Sequence, residues 1–243
     1  MPCYKDFSRG FCADCGTTHS LPAEPAMAAA QQLMQQLTNY HSIDFSRQNS
    51  KAKESSTDFL YGKARGKMFG VLSCETAEGT PLTLKAFSGQ YNGVWEVEDW
   101  VPPLFDVDNF WQLLNPIEKE IKALGKKLKN TDSNILRQQR KKLSQKLMKQ
   151  LHKLYRLHNF NHQKCTLADL FPENRGIPTG TGDCCAPKLL NHAALHGLKP
   201  TGLAEFYWGK ANRSATRFEG EFYPPCSDKC GPILGFLLCG IEN

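Results

Sequence analysis

Two stretches, far apart in the sequence, share one design. The first is Gly180-Thr181-Gly182-Asp183-Cys184-Cys185-Ala186-Pro187-Lys188, and the second is Tyr223-Pro224-Pro225-Cys226-Ser227-Asp228-Lys229-Cys230-Gly231-Pro232. In each, a loop rich in glycine or proline ends in cysteines, and a proline then opens an apolar run: Leu189, Leu190, Ala193 and Ala194 in one case, Ile233, Leu234, Phe236, Leu237 and Leu238 in the other. Proline suits the first turn of a helix, where its missing N–H costs nothing. The pattern therefore predicts two helices whose N-termini carry thiols. Free N–H groups and the helix dipole favour the thiolate there, and thiolates are what a zinc ion needs. One strand, Leu203 to Trp208, lies between them. The expectation is a compact unit with zinc held by Cys184, Cys185, Cys226 and Cys230; a closed set of four would be structural, and three with an open position would be needed for catalysis. The alternative reading is a set of buried thiols joining two helix starts.

The chain has 243 residues, enough for one large domain or two small ones. No window approaches the roughly 18 apolar residues of a membrane span. Met1-Pro2-Cys3-Tyr4-Lys5-Asp6 lacks the regions of a signal peptide, which points to a cytoplasmic protein. Ten cysteines in that compartment argue for metal or reactive thiols over disulfides. Cys74, Cys165 and Cys239 stand alone in apolar or strand-like settings and read as small buried hydrophobes. Near the N-terminus the Cys12-x2-Cys15-x3-His19 spacing resembles half a zinc knuckle, with Cys3 as a fourth candidate ligand; a tail with incidental thiols is the alternative.

The net charge of +6 is unevenly placed. Residues 117–157 hold thirteen Lys and Arg against Glu118, Glu120 and Asp132, so that segment is +10 and the rest of the chain is net acidic. Such a stripe is the footprint of a polyanion partner, with RNA the usual one, or else a solvated helical face. The segment itself reads as two helices. Asn115-Pro116-x-Glu118 looks like a helix start, with Asn as N-cap and Glu closing a capping box. Ile117, Ile121, Leu124 and Leu128 line the first helix, residues 130–134 turn, and Leu136, Leu143, Leu147, Leu151 and Leu154 line the second. This predicts a basic helical hairpin arm, with Lys141, Lys142, Lys146 and Lys149 as RNA contacts. Lys210, Arg213 and Arg217, near the aromatic run Phe206-Tyr207-Trp208, are the other candidates for phosphate, with Arg65 and Lys67 adding to that patch. His152, His158 and His162 have no acidic or thiol neighbour in sequence and read as surface residues.

Elsewhere, Ala26 to Leu37 has a helical apolar spacing. Met68 to Cys74 and Pro81 to Ser88 read as the strands of a β-hairpin turning at 77–80. The fold class that follows is α+β: a small mixed sheet with packed helices and an inserted helical-hairpin arm. Its parts are a Cys-containing tail and helix at 1–45, a hairpin portion of the core at 59–115, the arm at 116–158, and a cysteine-rich α/β portion at 159–243.

Several long motifs resemble the N-terminal extension of certain bacterial RluA-type RNA pseudouridine synthases. They are Gly182 to Leu190, Leu203 to Gly209 and Gly220 to Gly235, with Gly66 to Leu72, Ala86 to Gly89 and Trp100 to Pro103 fitting the same extension. In that family a separate catalytic domain bears a His-Arg-Leu-Asp motif. No such motif occurs here, so the resemblance implies an RNA-modification context (tRNA or rRNA as partner, or a separate RNA-modifying enzyme) and supplies no catalytic residue. A second likeness is one of element order. Hairpin, helix beginning at cysteine, strand, helix beginning at a Pro-Cys pair: this is similar to zinc-dependent nucleobase deaminases, and it implies Cys184 or Cys185 with Cys226 and Cys230 as ligands. The pair spacing here is x3 instead of x2, and Ala186 or Pro187 stands where the proton-carrying Glu belongs.

Overall fold

The computed structural model describes residues 8–45, 53–171 and 176–242. At its centre is a three-stranded sheet in the order β4-β3-β7, where β3 is Lys67–Glu75, β4 is Pro81–Phe87 and β7 is Lys199–Trp208. Both pairings are antiparallel, so the sheet is not the mixed one that the sequence suggested. β3 reads Met68-Phe69-Gly70-Val71-Leu72-Ser73-Cys74, apolar almost throughout, because it is central and covered on both faces. Period-two alternation sorts its side chains. Phe69 and Val71 of β3, with Ala204 and Phe206 of β7, face one helix layer. Gly70, Leu72 and Cys74, with Leu203 and Glu205, face the other, and Gly70 sits directly across from Glu205.

On the first face lies α1 (Glu24–Tyr40), somewhat longer than the predicted 26–37, burying Ala26, Ala30, Leu33 and Leu37. Tyr91, Phe87, Phe69, Phe206 and Trp100 complete this side as a continuous ring cluster. The second face is covered by α4 (Cys185–Leu195), against which α5 (Gly231–Leu238) packs from outside the sheet; these are the two helices opened by the cysteine stretches. The architecture is α+β, in the element order hairpin, helix, strand, helix. Two small hairpins add to it. β1 (Ser8–Cys12) pairs with β2 (Thr17–Leu21), where a tail was the alternative, and β5 (Arg156–His158) pairs with β6 (Lys164–Thr166).

The basic segment does form a helical hairpin, with different bounds. α2 runs Val107–Asn130 and α3 runs Asn134–His152. The N-cap of α2 is Asp106, whose Oδ1 accepts the Asn109 N–H at 2.8 Å, and Asn115-Pro116 lies inside the helix. Burial explains the difference. Phe110 stacks on Phe105 with ring centroids 4.6 Å apart and meets Trp95, so core packing fixes the first turn and carries the helix through a proline that removes one hydrogen bond. Within α3, Leu147 and Leu151 near its C-terminal end are buried, while the region around the 131–133 turn is largely exposed. His152 is buried as well, so it is not a surface residue, and burial lowers its pKa. Among the described residues no helix is long and apolar enough to cross a membrane.

Candidate metal centres

Two groups of ligand-bearing side chains converge, and each contains three of the residues expected for it. In the first, the ligand atoms of Cys12, Cys15, His19 and Cys239 all lie within 4.8 Å of one another. The β1–β2 hairpin supplies three of them. The Gly16 N–H donates to the Cys12 carbonyl at 3.0 Å, and Gly16 has φ +69°, a left-handed conformation that glycine accepts at little cost. Cys239 follows the last residue of α5. What brings it there is the meeting of two glycines: a Cβ on Gly235 would overlap the Phe11 carbonyl, and one on Gly10 would overlap the Gly235 amide nitrogen. Helix α5 therefore lies directly on the backbone of β1. Cys3, the fourth ligand expected from sequence, lies outside the described residues. Cys239 is buried as expected but does not stand alone, since it joins a ligand group.

This group is mostly interior: Cys12, His19 and Cys239 are buried and Cys15 is exposed. The Cys15 Sγ lies 3.1 Å from His19 Nε2, which pulls the Cys15 thiol down to about 6. Burial pushes the Cys239 thiol up to about 12, with Cys12 and Cys15 adding to it. The His19 Nδ1 is buried with no hydrogen-bond partner among the described residues, a cost that metal ligation or a bound water would remove.

The second group is Cys184, Cys226 and Cys230, again within 4.8 Å of one another. Cys184 is the N-cap residue of α4 and Cys230 that of α5. The N–H groups of Cys230 and Gly231 both donate to the Cys226 carbonyl at 3.1 Å, a turn that folds Cys226 back over the helix start. The Cys226 and Cys230 sulfurs are 3.5 Å apart. Hydrogen bonding with Cys184 and then with Cys230 lowers the pKa of Cys226, and hydrogen bonding within the trio raises those of Cys184 and Cys230. Within the trio Cys226 is therefore the thiol most readily ionised; a bound cation would let all three ionise.

Cys185 does not belong to this group. As the first residue of α4 it points at the sheet, and its Sγ donates to the Met68 carbonyl at 3.4 Å. Gly70 makes this possible, because a Cβ there would sit 2.5 Å from Cys185 Cβ. Burial holds the Cys185 thiol well above its ordinary value.

Polar groups also gather at the start of α4: Glu205 and Lys188 are buried and Asp183 is half-buried. Glu205 Oε1 accepts the Ala186 N–H at 2.8 Å, at the free end of α4, and burial raises its pKa to about 7. Asp183 accepts from the Tyr155 hydroxyl at 2.7 Å, with its pKa also raised by burial. Lys188 is 1% exposed and donates to the carbonyls of Phe87 at 2.9 Å and Gly89 at 3.2 Å; burial lowers its pKa to about 8.

The predicted RNA contacts fall into two places. Lys141, Lys142, Lys146 and Lys149 are all exposed on α3. Lys210 and Arg213 lie near the end of β7 and are exposed, whereas Arg217 is engaged, with Nη1 2.8 Å from Met68 Sδ and its guanidinium 4.9 Å from the Tyr223 ring. Arg65 donates to the Ala211 carbonyl at 2.7 Å. Lys67 is half-buried, and burial lowers its pKa.

No protein-family model matches the chain, and no curated protein or solved structure matches it.

Proposed function

We propose that this chain is an RNA-binding accessory module, held together by zinc at Cys12, Cys15, His19 and Cys239. Three thiolates and an imidazole suit structural zinc, which takes four such ligands and leaves no open position. In zinc-finger peptides such a site is worth about 10 kcal/mol or more of folding free energy. Here it would staple the β1–β2 hairpin to α5.

The observation that carries the RNA reading is the face of α3. Lys142, Lys146 and Lys149 stand at i, i+4 and i+7, so they share one stripe of the helix. All three are exposed, and none has an ion-pair partner among the described residues; the ion pairs on the arm involve Lys122 with Glu118 and Arg137 with Asp132. At 1.5 Å rise per residue the stripe spans about 10 Å, roughly three phosphate intervals along one strand, so each lysine can meet its own phosphate. The resemblance to the extension of RluA-type pseudouridine synthases favours RNA over other polyanions as the partner.

The test is an equilibrium titration of the full chain against tRNA and rRNA helix fragments from about 50 to about 200 mM salt. Each phosphate that the protein no longer neutralises should reduce the log–log salt slope by about 0.9 on a duplex. Replacing Lys142, Lys146 and Lys149 with Gln should therefore flatten the slope by about 2.7. Across that fourfold salt range, binding by the unaltered protein should weaken about 40-fold more than binding by the variant. Equal slopes would remove the arm from the interface, and salt-independent binding would remove the electrostatic reading altogether.

A further inference from the structure

The Cys184–Cys226–Cys230 trio is chemically unlike the four-ligand group. We infer that it is a second metal centre, one that is coordinatively open and takes its fourth ligand from outside the chain. This is independent of RNA binding.

Three observations support this. First, the thiols converge from two different helix starts. Cys184 caps α4 and Cys230 caps α5, with Cys226 folded back by the paired N–H bonds to its carbonyl. Residues from two separate stretches of the chain thus place three sulfurs within 4.8 Å of one another. Second, no other nearby side chain joins the set: the described His, Cys, Asp and Glu residues add no fourth ligand atom within 4.8 Å of all three sulfurs. The Cys185 thiol is turned to the Met68 carbonyl, Glu205 accepts the Ala186 N–H, and Asp183 accepts the Tyr155 hydroxyl. Among the described residues the group has three ligands and no fourth. Third, access differs across the trio: Cys230 is buried, while Cys184 and Cys226 are partly exposed. A metal at the shared focus would have sulfur on its inner side and an outward position.

Three thiolates on a tetrahedral ion leave one site, which solvent fills at rest. The ligand class that displaces solvent there is a small thiolate or an aromatic nitrogen donor, both of which suit a thiolate-bound divalent ion. The four-ligand group has no such position. The chain should therefore bind two ions, of which one answers to added ligand.

The experiment uses the full chain, reduced and anaerobic, reconstituted with cobalt(II), whose visible spectrum reports coordination. The expected result is two cobalt ions per chain. Adding imidazole, and separately 2-mercaptoethanol, should change the spectrum of one of the two and leave the other unaltered. Cys184→Ser should reduce the count to one ion and abolish the response. Cys239→Ser, which removes a ligand from the other group, should keep the response. The measurement on the unaltered protein stands even where a variant does not fold. One cobalt per chain in the unaltered protein, two with neither responding, or a response that survives Cys184→Ser would each overturn the inference.

Discussion

Gly235→Ala should dismantle the four-ligand group without touching a ligand. The new Cβ would lie 2.6 Å from the Cys12 backbone nitrogen and overlap the Phe11 carbonyl. Ordinary van der Waals contact begins at 3.4 Å, so the helix and the strand must move apart. Both opposing atoms are backbone, and no side chain can swing aside. Overpacking of this kind costs about 1–3 kcal/mol, and the upper end applies here, which corresponds to a fall in Tm of about 6–12 °C for a chain of this size. Metal geometry is less forgiving still, since ligand distances tolerate about 0.2 Å and Cys239 rides on the displaced helix. The assay is thermal unfolding with and without added zinc, with elemental analysis beside it. Gly235→Ala should lose one ion per chain and most of the stabilisation that zinc confers. Gly231→Ala, on the same helix, is the control. Its Cβ would meet nothing closer than the Cys226 carbonyl at 4.0 Å, so it should be neutral or gain up to about 1 kcal/mol. Full metal content and unchanged Tm in Gly235→Ala would refute the claim that the close approach at this glycine builds the site.

Cys185→Ala should leave metal content unaltered, whereas Cys226→Ser should lose one ion; equal losses would return Cys185 to the ligand set. Burial raises the Glu205 pKa to about 7 from its ordinary 4.5, so between those values the folded protein holds a proton that the unfolded chain has already released, and stability falls as pH rises through that window. Glu205→Gln keeps an acceptor for the Ala186 N–H and removes that cost. It should stabilise by up to about 3 kcal/mol at pH 8 and by less than about 1 kcal/mol at pH 5, checked by denaturant unfolding at the two pH values. Asp106→Ala should cost about 1 kcal/mol as the loss of a helix cap, while Asn115→Ala, mid-helix, should be neutral; the reverse order in the same assay would place the start of α2 at residue 115.

The parts of the structure that are legible in the sequence are those specified locally. The β3–β4 hairpin, α1 and the starts of α4 and α5 each follow from residues within a turn or two: the alternation in Leu82 to Ala86, the spacing of Ala30, Leu33 and Leu37, and Pro187 and Pro232 beside their cysteines. The start of α2 is misread because Asn115-Pro116 is a strong local signal, and it is overruled by a distant one, the stacking of Phe110 on Phe105. The trio is legible as chemistry but not residue by residue. Cys184 and Cys185 are neighbours, yet a helix turns successive side chains by about 100°, and only the packing of Gly70 against α4 decides which of them faces the sheet. Cys239 carries no legible sign, because its partners are about 220 positions away (residue 19 to residue 239) and its placement depends on Gly10 and Gly235 meeting.

That separation has a consequence in time. A chain made from its N-terminus presents Cys12, Cys15 and His19 early, and they can hold a metal ion as an incomplete claw while the sheet is still being synthesised. Cys239 arrives only after β7 and α5 exist. In the proposed site, closure by a fourth ligand would then record that α5 has docked on β1. An ion held by three ligands on the nascent chain would exchange faster than one held by four on the finished chain, so metal exchange rate would serve as a clock for folding of everything between.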